Sequence, residues 1–347
     1  MAGGRDGVPC RGGADGVRLL VCGGAGFIGS TFVRLRVRQH GDGVTVLDKL
    51  TYAGRLENLH DVSEQIRFVG GAIEDPAAVA DAADGCEAIV NFAAETHVDR
   101  SISGPQEFIT TNMQGTHVLL EAARARRLRF LQVSTDEVYG SIESGSFTEE
   151  SALRPSSPYS ATKAGADLLV SSYVHTYGLD ALICRGSNNY GPYQHPEKLI
   201  PLMILNALAG DRLPVYGDGR NVRNWLYAED FCRGIGSVLA HGAPGDVYNC
   251  GGPDECENLE LVRRVVALTG ADESLIELVL DRPGHDRRYS LSCERLRALG
   301  WEPRVMLEEG LQRTVRWYRE NRWWWEPVRS GAYREYYESQ YGRALGA

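Results

Sequence analysis

The sequence predicts an α/β protein with a doubly wound, parallel Rossmann-type sheet and a smaller C-terminal substrate-binding lobe. Short apolar runs alternate with helical patterns through the first half of the chain, as is typical of buried parallel strands joined by helices. A glycine-rich turn follows the first apolar run, and the alternation stops after Asn189. These observations predict one large sheet domain followed by a lobe of different organisation.

The predicted strands are apolar runs that end near glycine or a polar residue. They are Val17–Cys22, Val44–Leu47, Ile66–Val69, Ala88–Phe92, Phe130–Val133 and Ala181–Cys184. Helical patterns lie between them at 27–39, Ala77–Ala83, Phe108–Arg126 and Tyr159–Tyr177. Beyond Asn189, segments rich in Gly, Pro and Arg interrupt shorter elements. We expect these segments to be loops facing the mouth of the sheet, where ligands of such folds bind.

The composition excludes several classes of protein. A formal charge of −9 over 347 residues argues against nucleic acid or an anionic membrane as the main partner. No apolar run approaches the roughly 20 residues needed to span a bilayer. The eight cysteines contain no C-x-x-C pair and no common zinc spacing, so we expect reduced thiols, a cytoplasmic protein and no metal.

Lysine is unusually rare in this chain. Only Lys49, Lys163 and Lys198 occur, against 34 arginines. Where arginine is used almost everywhere, a retained lysine indicates a position that needs a compact, titratable ammonium.

The first glycine-rich turn has the pattern of a dinucleotide site. Gly23, Gly26 and Gly29 lie between a predicted strand and a predicted helix. This spacing gives a tight turn, an approach for a pyrophosphate and close helix packing. Asp48 ends the next strand, where a carboxylate accepts hydrogen bonds from ribose hydroxyls and repels a 2′-phosphate. The pattern favours NAD over NADP, although the positive charge of adjacent Lys49 opposes this preference.

Two segments carry candidate catalytic residues. Tyr159 and Lys163 form Y-x-x-x-K on one helical face, where the ammonium is expected to lower the pKa of the phenol and make it a usable base. Thr135, Asp136 and Glu137 directly follow a predicted strand. Adjacent carboxylates there are poor for stability, and environments that separate their pKa values would yield one acid and one base.

These motifs resemble those of the dTDP-glucose 4,6-dehydratases, which are extended short-chain dehydrogenases/reductases. The likeness covers about Arg18–Pro327. The matching stretches are Gly23–Ser30, Asp48–Gly54, Asn91–Ile102, Ser134–Gly140, Tyr159–Lys163, Ser187–Pro201, Val215–Leu226 and Arg282–Tyr289. The related 4-epimerases and decarboxylases share the glycines and Y-x-x-x-K but resemble the chain less at the Asp-Glu pair.

The resemblance implies a lyase that converts dTDP-glucose to dTDP-4-keto-6-deoxyglucose through bound NAD, as a cytoplasmic homodimer. It implies catalytic roles for Thr135, Asp136, Glu137, Tyr159 and Lys163. The residues implied to bind NAD are Gly23, Gly26, Phe27, Ile28, Gly29, Asp48, Lys49, Leu50, Thr51, Ala72, Ile73, Phe92, Ala93, Ala94, Glu95, Thr96, Thr111, Tyr159, Lys163 and Asn189.

The resemblance also implies a site for the nucleotide sugar, with Lys198, Arg223 and Arg282 supplying the positive charge that a diphosphate needs. The full implied set is Thr96, Thr135, Asn188, Lys198, Leu199, Ile200, Pro201, Pro214, Val215, Tyr216, Arg223, Asn258, Arg282, Pro283, Gly284, His285 and Asp286.

Three positions depart from the family pattern. Cys22 replaces a common Thr, Ala72 replaces an Asp that faces the adenine amino group, and Asn224 replaces an Asp after Arg223. We therefore expect Ala72 to remove one cofactor hydrogen bond and Asn224 to alter the orientation of Arg223.

Four regions are expected. Residues 1–16 form a flexible leader, 17–189 the NAD-binding Rossmann domain, 190–330 mainly the sugar-nucleotide lobe with some segments returning to the first domain, and 331–347 a C-terminal tail. The alternatives are an NAD-dependent 4-epimerase or decarboxylase, and a non-catalytic NAD-binding regulator. The regulator would have no reason to retain all five candidate catalytic residues.

Overall fold

A computed structural model of the chain describes residues 16–329. Residues 1–15 of the expected leader and the whole expected tail lie outside the described residues. Among residues 16–329, no helix is long and apolar enough to cross a membrane.

The strands follow the predicted pattern closely. They are β1 Arg18–Cys22, β2 Gly43–Asp48, β3 Ile66–Gly70, β4 Ala88–Asn91, β5 Arg129–Thr135, β6 Ala181–Gly186, β7 Asn188–Tyr190, β8 Leu213–Tyr216, β9 Val222–Tyr227, β10 Val247–Cys250, β11 Asp254–Glu257 and β12 Ile276–Val279. All six strands predicted from apolar runs are present, with small changes at their ends.

The helices are α1 Phe27–Leu35, α2 Pro76–Ala82, α3 Val98–Ser103, α4 Gln106–Phe108, α5 Thr116–Arg126, α6 Pro158–Tyr177, α7 Leu199–Ala209, α8 Ala228–His241, α9 Asn258–Thr269, α10 Glu294–Ala298, α11 Leu307–Glu320 and α12 Arg322–Trp325. Wider π turns extend α1 through Arg36–His40 and join α4 to α5 through Ile109–Gly115. The single helix predicted over Phe108–Arg126 is therefore two helices with a π segment between them.

Seven parallel strands form the main sheet in the order β10-β6-β5-β4-β1-β2-β3. The chain reverses its direction across the sheet between β1 and β4, which is the topological switch point where such folds bind ligands. Small sheets of β11-β9-β7 and β12-β8 belong to the second half of the chain. The predicted doubly wound Rossmann-type architecture is confirmed.

Buried apolar side chains cover both faces of the main sheet, as expected when alternate residues of a parallel strand point to opposite sides. Leu19 and Val21 pack with α1 and α8 residues, whereas Leu20 and Cys22 pack with residues of α2, α5 and α6. Cys22 is thus a core residue.

A separate core joins α7, α9 and α11 to the tryptophans near the end of the described chain. Trp324 is 1% exposed, and its indole N–H donates to Asn58 Oδ1 at 2.7 Å. Trp325 donates to the carbonyl of Tyr318 at 2.7 Å, whereas Trp323 is 48% exposed. Trp324 and Trp325 therefore pack in this core.

Candidate active site

A cavity of about 300 Å³ opens where β1, β2, β4 and β5 end, beside the switch point. Its lining includes all three lysines of the chain, Lys49, Lys163 and Lys198. The three positions at which the chain retains lysine therefore lie around one cavity in the folded protein.

The glycine turn forms one wall of this cavity. Gly23 has a φ of 73°, and a Cβ there would lie 2.6 Å from the backbone nitrogen of Ala93. A Cβ on Gly29 would lie 2.2 Å from the carbonyl oxygen of Gly23. Gly26 caps the N-terminus of α1. The turn thus lets a pyrophosphate approach the backbone at the positive, N-terminal end of α1.

Asp48 lies at the end of β2 and is held by two backbone amides. Its Oδ2 accepts from Ala25 N–H at 3.0 Å, and its Oδ1 accepts from Leu50 N–H at 2.9 Å. Burial raises the pKa of Asp48, while the Leu50 and Ala25 amides and the charge of Lys49 oppose that rise. The carboxylate is therefore fixed in the cavity wall, where a ribose diol would meet it.

Most residues implied to bind NAD line this cavity. They are Gly23, Gly26, Phe27, Ile28, Gly29, Asp48, Lys49, Thr51, Ile73, Phe92, Ala93, Ala94, Glu95, Thr96, Thr111, Tyr159, Lys163 and Asn189. Leu50 and Ala72 are not among the lining residues. Leu50 is 39% exposed and contributes its amide to Asp48, and Ala72 lies between the lining residues Gly71 and Ile73.

Thr135 and Asp136 mark the point where β5 ends. Thr135 is the last residue of the strand, two residues beyond the predicted end, because it still pairs with Gly186 of β6. Its hydroxyl accepts from Glu137 N–H and donates to Asp136 Oδ1, both at 3.3 Å. This cap turns the chain into a short 3-10 turn over Asp136–Tyr139.

The two adjacent carboxyl groups occupy different environments. Burial and the neighbouring charge of Glu137 raise the pKa of Asp136 to about 8. Burial also raises the pKa of Glu137, but Arg282, Arg223 and Lys198 oppose that rise. Asp136 is therefore protonated at neutral pH and can donate a proton, whereas the cations beside Glu137 favour its anion.

Lys163 lies one helical turn after Tyr159 on α6, whose N-terminus is capped by Ser157 and Ser160. Its ammonium donates to the carbonyl of Val133 at 2.7 Å, and burial lowers its pKa to about 8. The hydrogen bond ties the ammonium to β5, two residues before Thr135.

The expected lowering of the Tyr159 pKa is wrong for the structure. Burial and then the charge of Glu137 raise the pKa of Tyr159, with a hydrogen bond to Thr135 acting in the opposite direction. The physical reason is first the burial of the phenol and then the charge of Glu137, while the Lys163 ammonium is engaged by the Val133 carbonyl. Tyr159 is therefore a neutral phenol in this state.

The residues implied to hold the nucleotide sugar fall into two groups. Thr96, Thr135, Asn188 and Lys198 line the cavity. The others are not lining residues and belong to the second half of the chain: Leu199, Ile200, Pro201, Pro214, Val215, Tyr216, Arg223, Asn258, Arg282, Pro283, Gly284, His285 and Asp286. The charges of Arg223 and Arg282 nevertheless act on Glu137, so the positive cluster faces the catalytic carboxylates.

Arg223 is held by its own lobe. Its guanidinium donates to the carbonyls of Val222 at 2.9 Å and Asp286 at 3.0 Å, and it lies 4.5 Å from the centre of the Tyr289 ring. Asn224 instead donates to the carbonyls of Gly252 and Asp254. The orientation of Arg223 thus does not depend on the Asn224 side chain.

Arg282 joins the two halves of the chain. It forms an ion pair with Asp99 of α3 at 3.4 Å, and Asp99 also accepts from the Tyr216 hydroxyl at 3.3 Å. The loop that carries Arg282 therefore packs against α3, and Arg282 is not a lining residue of the cavity.

Sequence reasoning missed a polar cluster around Glu197. Its buried carboxylate contacts Arg100 at 3.2 Å, His195 at 3.7 Å and His97 at 3.9 Å. Glu197 and His195 line the cavity beside Lys198. Both lie inside a stretch that matches the family, so their place next to Lys198 was an available signal.

Within residues 16–329, no group of three or more His, Cys, Asp or Glu side chains is arranged to hold a metal ion.

Comparisons with known proteins agree with this geometry. The family model of GDP-mannose 4,6 dehydratase matches residues 20–314. A dTDP-glucose 4,6-dehydratase of Streptomyces niveus is 52% identical over 323 residues, which cover 90% of this chain and 96% of the relative.

Two solved structures are also similar. A dTDP-glucose 4,6-dehydratase from Streptomyces venezuelae, solved with NAD bound, has a TM-score of 0.88 at 55% identity and covers 90% of this chain and 100% of its own. A UDP-glucose 4-epimerase from Thermotoga maritima has a TM-score of 0.83 at 30% identity and covers 88% of this chain and 99% of its own. The chain therefore belongs to the nucleotide-sugar dehydratase family described by that model, and within it to the dTDP-glucose 4,6-dehydratases.

Proposed function

We propose that this chain converts dTDP-glucose to dTDP-4-keto-6-deoxyglucose and water, with NAD as a bound cofactor. The observation that carries this proposal is the Asp136–Glu137 pair, in which one carboxyl is protonated at neutral pH and the other faces three cations. An elimination of water needs such a pair, because one group must take a proton while the other gives one.

The cofactor site fits NAD. The Gly23 turn offers backbone and a helix N-terminus to the pyrophosphate, and Asp48 offers a fixed carboxylate to the ribose. Bound NAD supplies a hydride acceptor that later returns the hydride, so the reaction needs no external oxidant.

Different side chains of the site carry out the individual proton transfers. Tyr159 first releases its own proton to solvent, and the phenolate then accepts the O4 proton of glucose while Thr135 polarises that oxygen. The ketone formed at C4 acidifies the C5 hydrogen, which Glu137 removes. Asp136 donates its proton to the departing C6 hydroxyl, which leaves as water, and Glu137 finally returns a proton to C5.

Protonation of Asp136 also supports the first step. The charges of Glu137 and Asp136 both raise the pKa of Tyr159. A neutral Asp136 removes one of these charges, so the same proton that is needed for elimination also makes the phenol easier to ionise.

A 4-epimerase is the alternative reading, because one solved epimerase has the same fold at 30% identity. An epimerase leaves C6 oxygenated and has no use for an acid beside the C5 base. Product analysis after incubation with dTDP-glucose distinguishes the two activities. A 4-keto-6-deoxy product supports the dehydratase, and a dTDP-galactose product would refute it.

We also propose a homodimer formed through the helices at Phe108–Arg126 and Tyr159–Tyr177. Ile109, Leu168 and Tyr177 are 45%, 61% and 54% exposed on these segments, which leaves apolar surface for a partner. Leu168→Asp should convert a dimer to a monomer in light scattering. A native chain that is already monomeric would contradict this proposal.

We assign residues 17–189 to cofactor binding and 190–330 mainly to sugar-nucleotide binding. We also place the enzyme in the cytoplasm. The seven described cysteines are free thiols, which supports a reducing compartment.

A further inference from the structure

Lys49 directly follows Asp48, the carboxylate expected to hold the adenosine ribose, but the Lys49 ammonium contacts two other side chains. Its ammonium donates to Thr111 Oγ1 at 3.0 Å and to Glu74 Oε1 at 3.3 Å. Lys49 and Thr111 both line the cavity, and Glu74 follows the lining residue Ile73. The Lys49–Glu74 ion pair thus lies at the rim of the cofactor site, with side chains 32% and 21% exposed.

This arrangement bears on which dinucleotide the site accepts. A carboxylate such as Asp48 repels a 2′-phosphate, while a cation close to it attracts one. The consecutive residues Asp48 and Lys49 therefore have opposite effects on the binding of a 2′-phosphate. The balance between them depends on whether the Lys49 charge is free or neutralised.

Glu74 neutralises that charge within the described structure. Its Oε1 is engaged with Lys49, and its Oε2 is buried with no hydrogen-bond partner among residues 16–329. A buried carboxylate oxygen without a partner is costly, so the ion pair with Lys49 is the contact that compensates the charge of Glu74. The pair also keeps the ammonium on the Thr111 side of the rim.

We propose that Glu74 is a specificity-determining residue that selects NAD over NADP by holding and neutralising Lys49. The inference rests on the proposed NAD site. It concerns the choice between two dinucleotides and not the reaction that follows. Glu74 therefore acts on the cofactor through Lys49, as a positioning residue.

The test is a competition between the two cofactors. The enzyme is stripped of bound dinucleotide, incubated with equal amounts of NAD and NADP, and passed through a desalting column. The retained cofactor is then released by denaturation and quantified by chromatography. Glu74→Gln keeps the size and the acceptor oxygen of the side chain but removes its charge. We expect its retained NADP-to-NAD ratio to exceed that of the native chain by about tenfold or more.

Three further variants make the result specific. Glu74→Asp keeps the charge and should stay close to the native ratio. The double variant Lys49→Met, Glu74→Gln should also return towards the native ratio, because the freed cation is absent. Glu64→Gln removes an exposed carboxylate elsewhere in the same domain and should change nothing.

The competition separates this inference from the proposed reaction. A Glu74→Gln ratio within about twofold of the native ratio would overturn the role of Glu74. A double variant that retains as much NADP as Glu74→Gln would overturn the role of Lys49. A chain that retains neither dinucleotide would contradict the cofactor assignment itself. If the chain does not form the 4-keto-6-deoxy product, the proposed reaction is wrong, but the cofactor ratios still decide whether Glu74 has the proposed role.

Discussion

Replacing Asp136 by Asn should stabilise the folded protein while it removes the acid of the elimination. Burial and Glu137 raise the pKa of Asp136 from the usual 3.8 to about 8. The folded state therefore holds this proton more tightly than the unfolded state does. The stability that comes from the bound proton is complete below about pH 4 and is lost as the pH rises to about 8. Asparagine is neutral at every pH and avoids this loss.

The size of the effect follows from the pKa difference. Four pH units correspond to roughly 5 kcal/mol at about 1.36 kcal/mol per unit, which is an upper limit because the site can relax around the charge. We expect Asp136→Asn to exceed the native chain in unfolding free energy by about 2–4 kcal/mol at pH 8 and by less than about 1 kcal/mol at pH 4.5.

Urea unfolding of both proteins between pH 4.5 and 8.5 measures this difference directly. Asp84→Asn, which changes an exposed carboxylate on a turn, is the matched control and should show no pH-dependent gain. The same Asp136→Asn protein should lose about 10²–10⁴ in the rate of elimination. A stability difference that does not grow with pH would refute the reasoning that Asp136 is held protonated by its surroundings.

Two further replacements test the substrate lobe and its core. Arg223→Ala should chiefly raise KM, by a factor equivalent to about 1.5–3 kcal/mol, because a diphosphate contact is made in both the ground and transition states. Steady-state kinetics measure the change in KM. An unchanged KM would show that Arg223 does not belong to the substrate site. Trp324→Ala should lower the unfolding free energy by about 3–5 kcal/mol, because the 1%-exposed ring leaves a cavity and an unpaired Asn58 oxygen. Denaturant unfolding measures that loss, with the 48%-exposed Trp323→Ala as control; equal effects of the two replacements would contradict the packing account.

Local patterns in the sequence were sufficient to locate six of the seven strands of the main sheet. Apolar runs located its first six strands because parallel strands are buried on both faces. The seventh strand, β10, was not predicted, because Val247–Cys250 has only four residues and includes the polar Asn249, so it is not a continuous apolar run. Its place beside β6, about sixty residues earlier in the chain, is likewise not recorded in any local pattern.

The candidate site shows the same limit. Gly23, Asp48 and Lys163 were found because their chemistry depends on near neighbours in the chain. The Lys49–Glu74 pair and the Glu197 cluster bring together residues from distant segments, so their partners become visible only in the folded structure. The direction of the Tyr159 pKa was predicted wrongly for a related reason, since the burial of the phenol, which is the largest cause of the raised pKa, becomes visible only in the folded structure.

Glu137→Gln tests the division of labour between Asp136 and Glu137 most directly. The amide cannot remove the C5 proton, while Tyr159 and Lys163 remain to assist the oxidation of C4 by NAD. Rapid mixing of this variant with dTDP-glucose should give NADH absorbance that persists, with little 4-keto-6-deoxy product. In D2O, deuterium should reach C5 of the product made by the native enzyme and should be absent with the variant. If Glu137→Gln turns over at close to the native rate and still labels C5, Glu137 is not the base and the assignment of the pair is wrong.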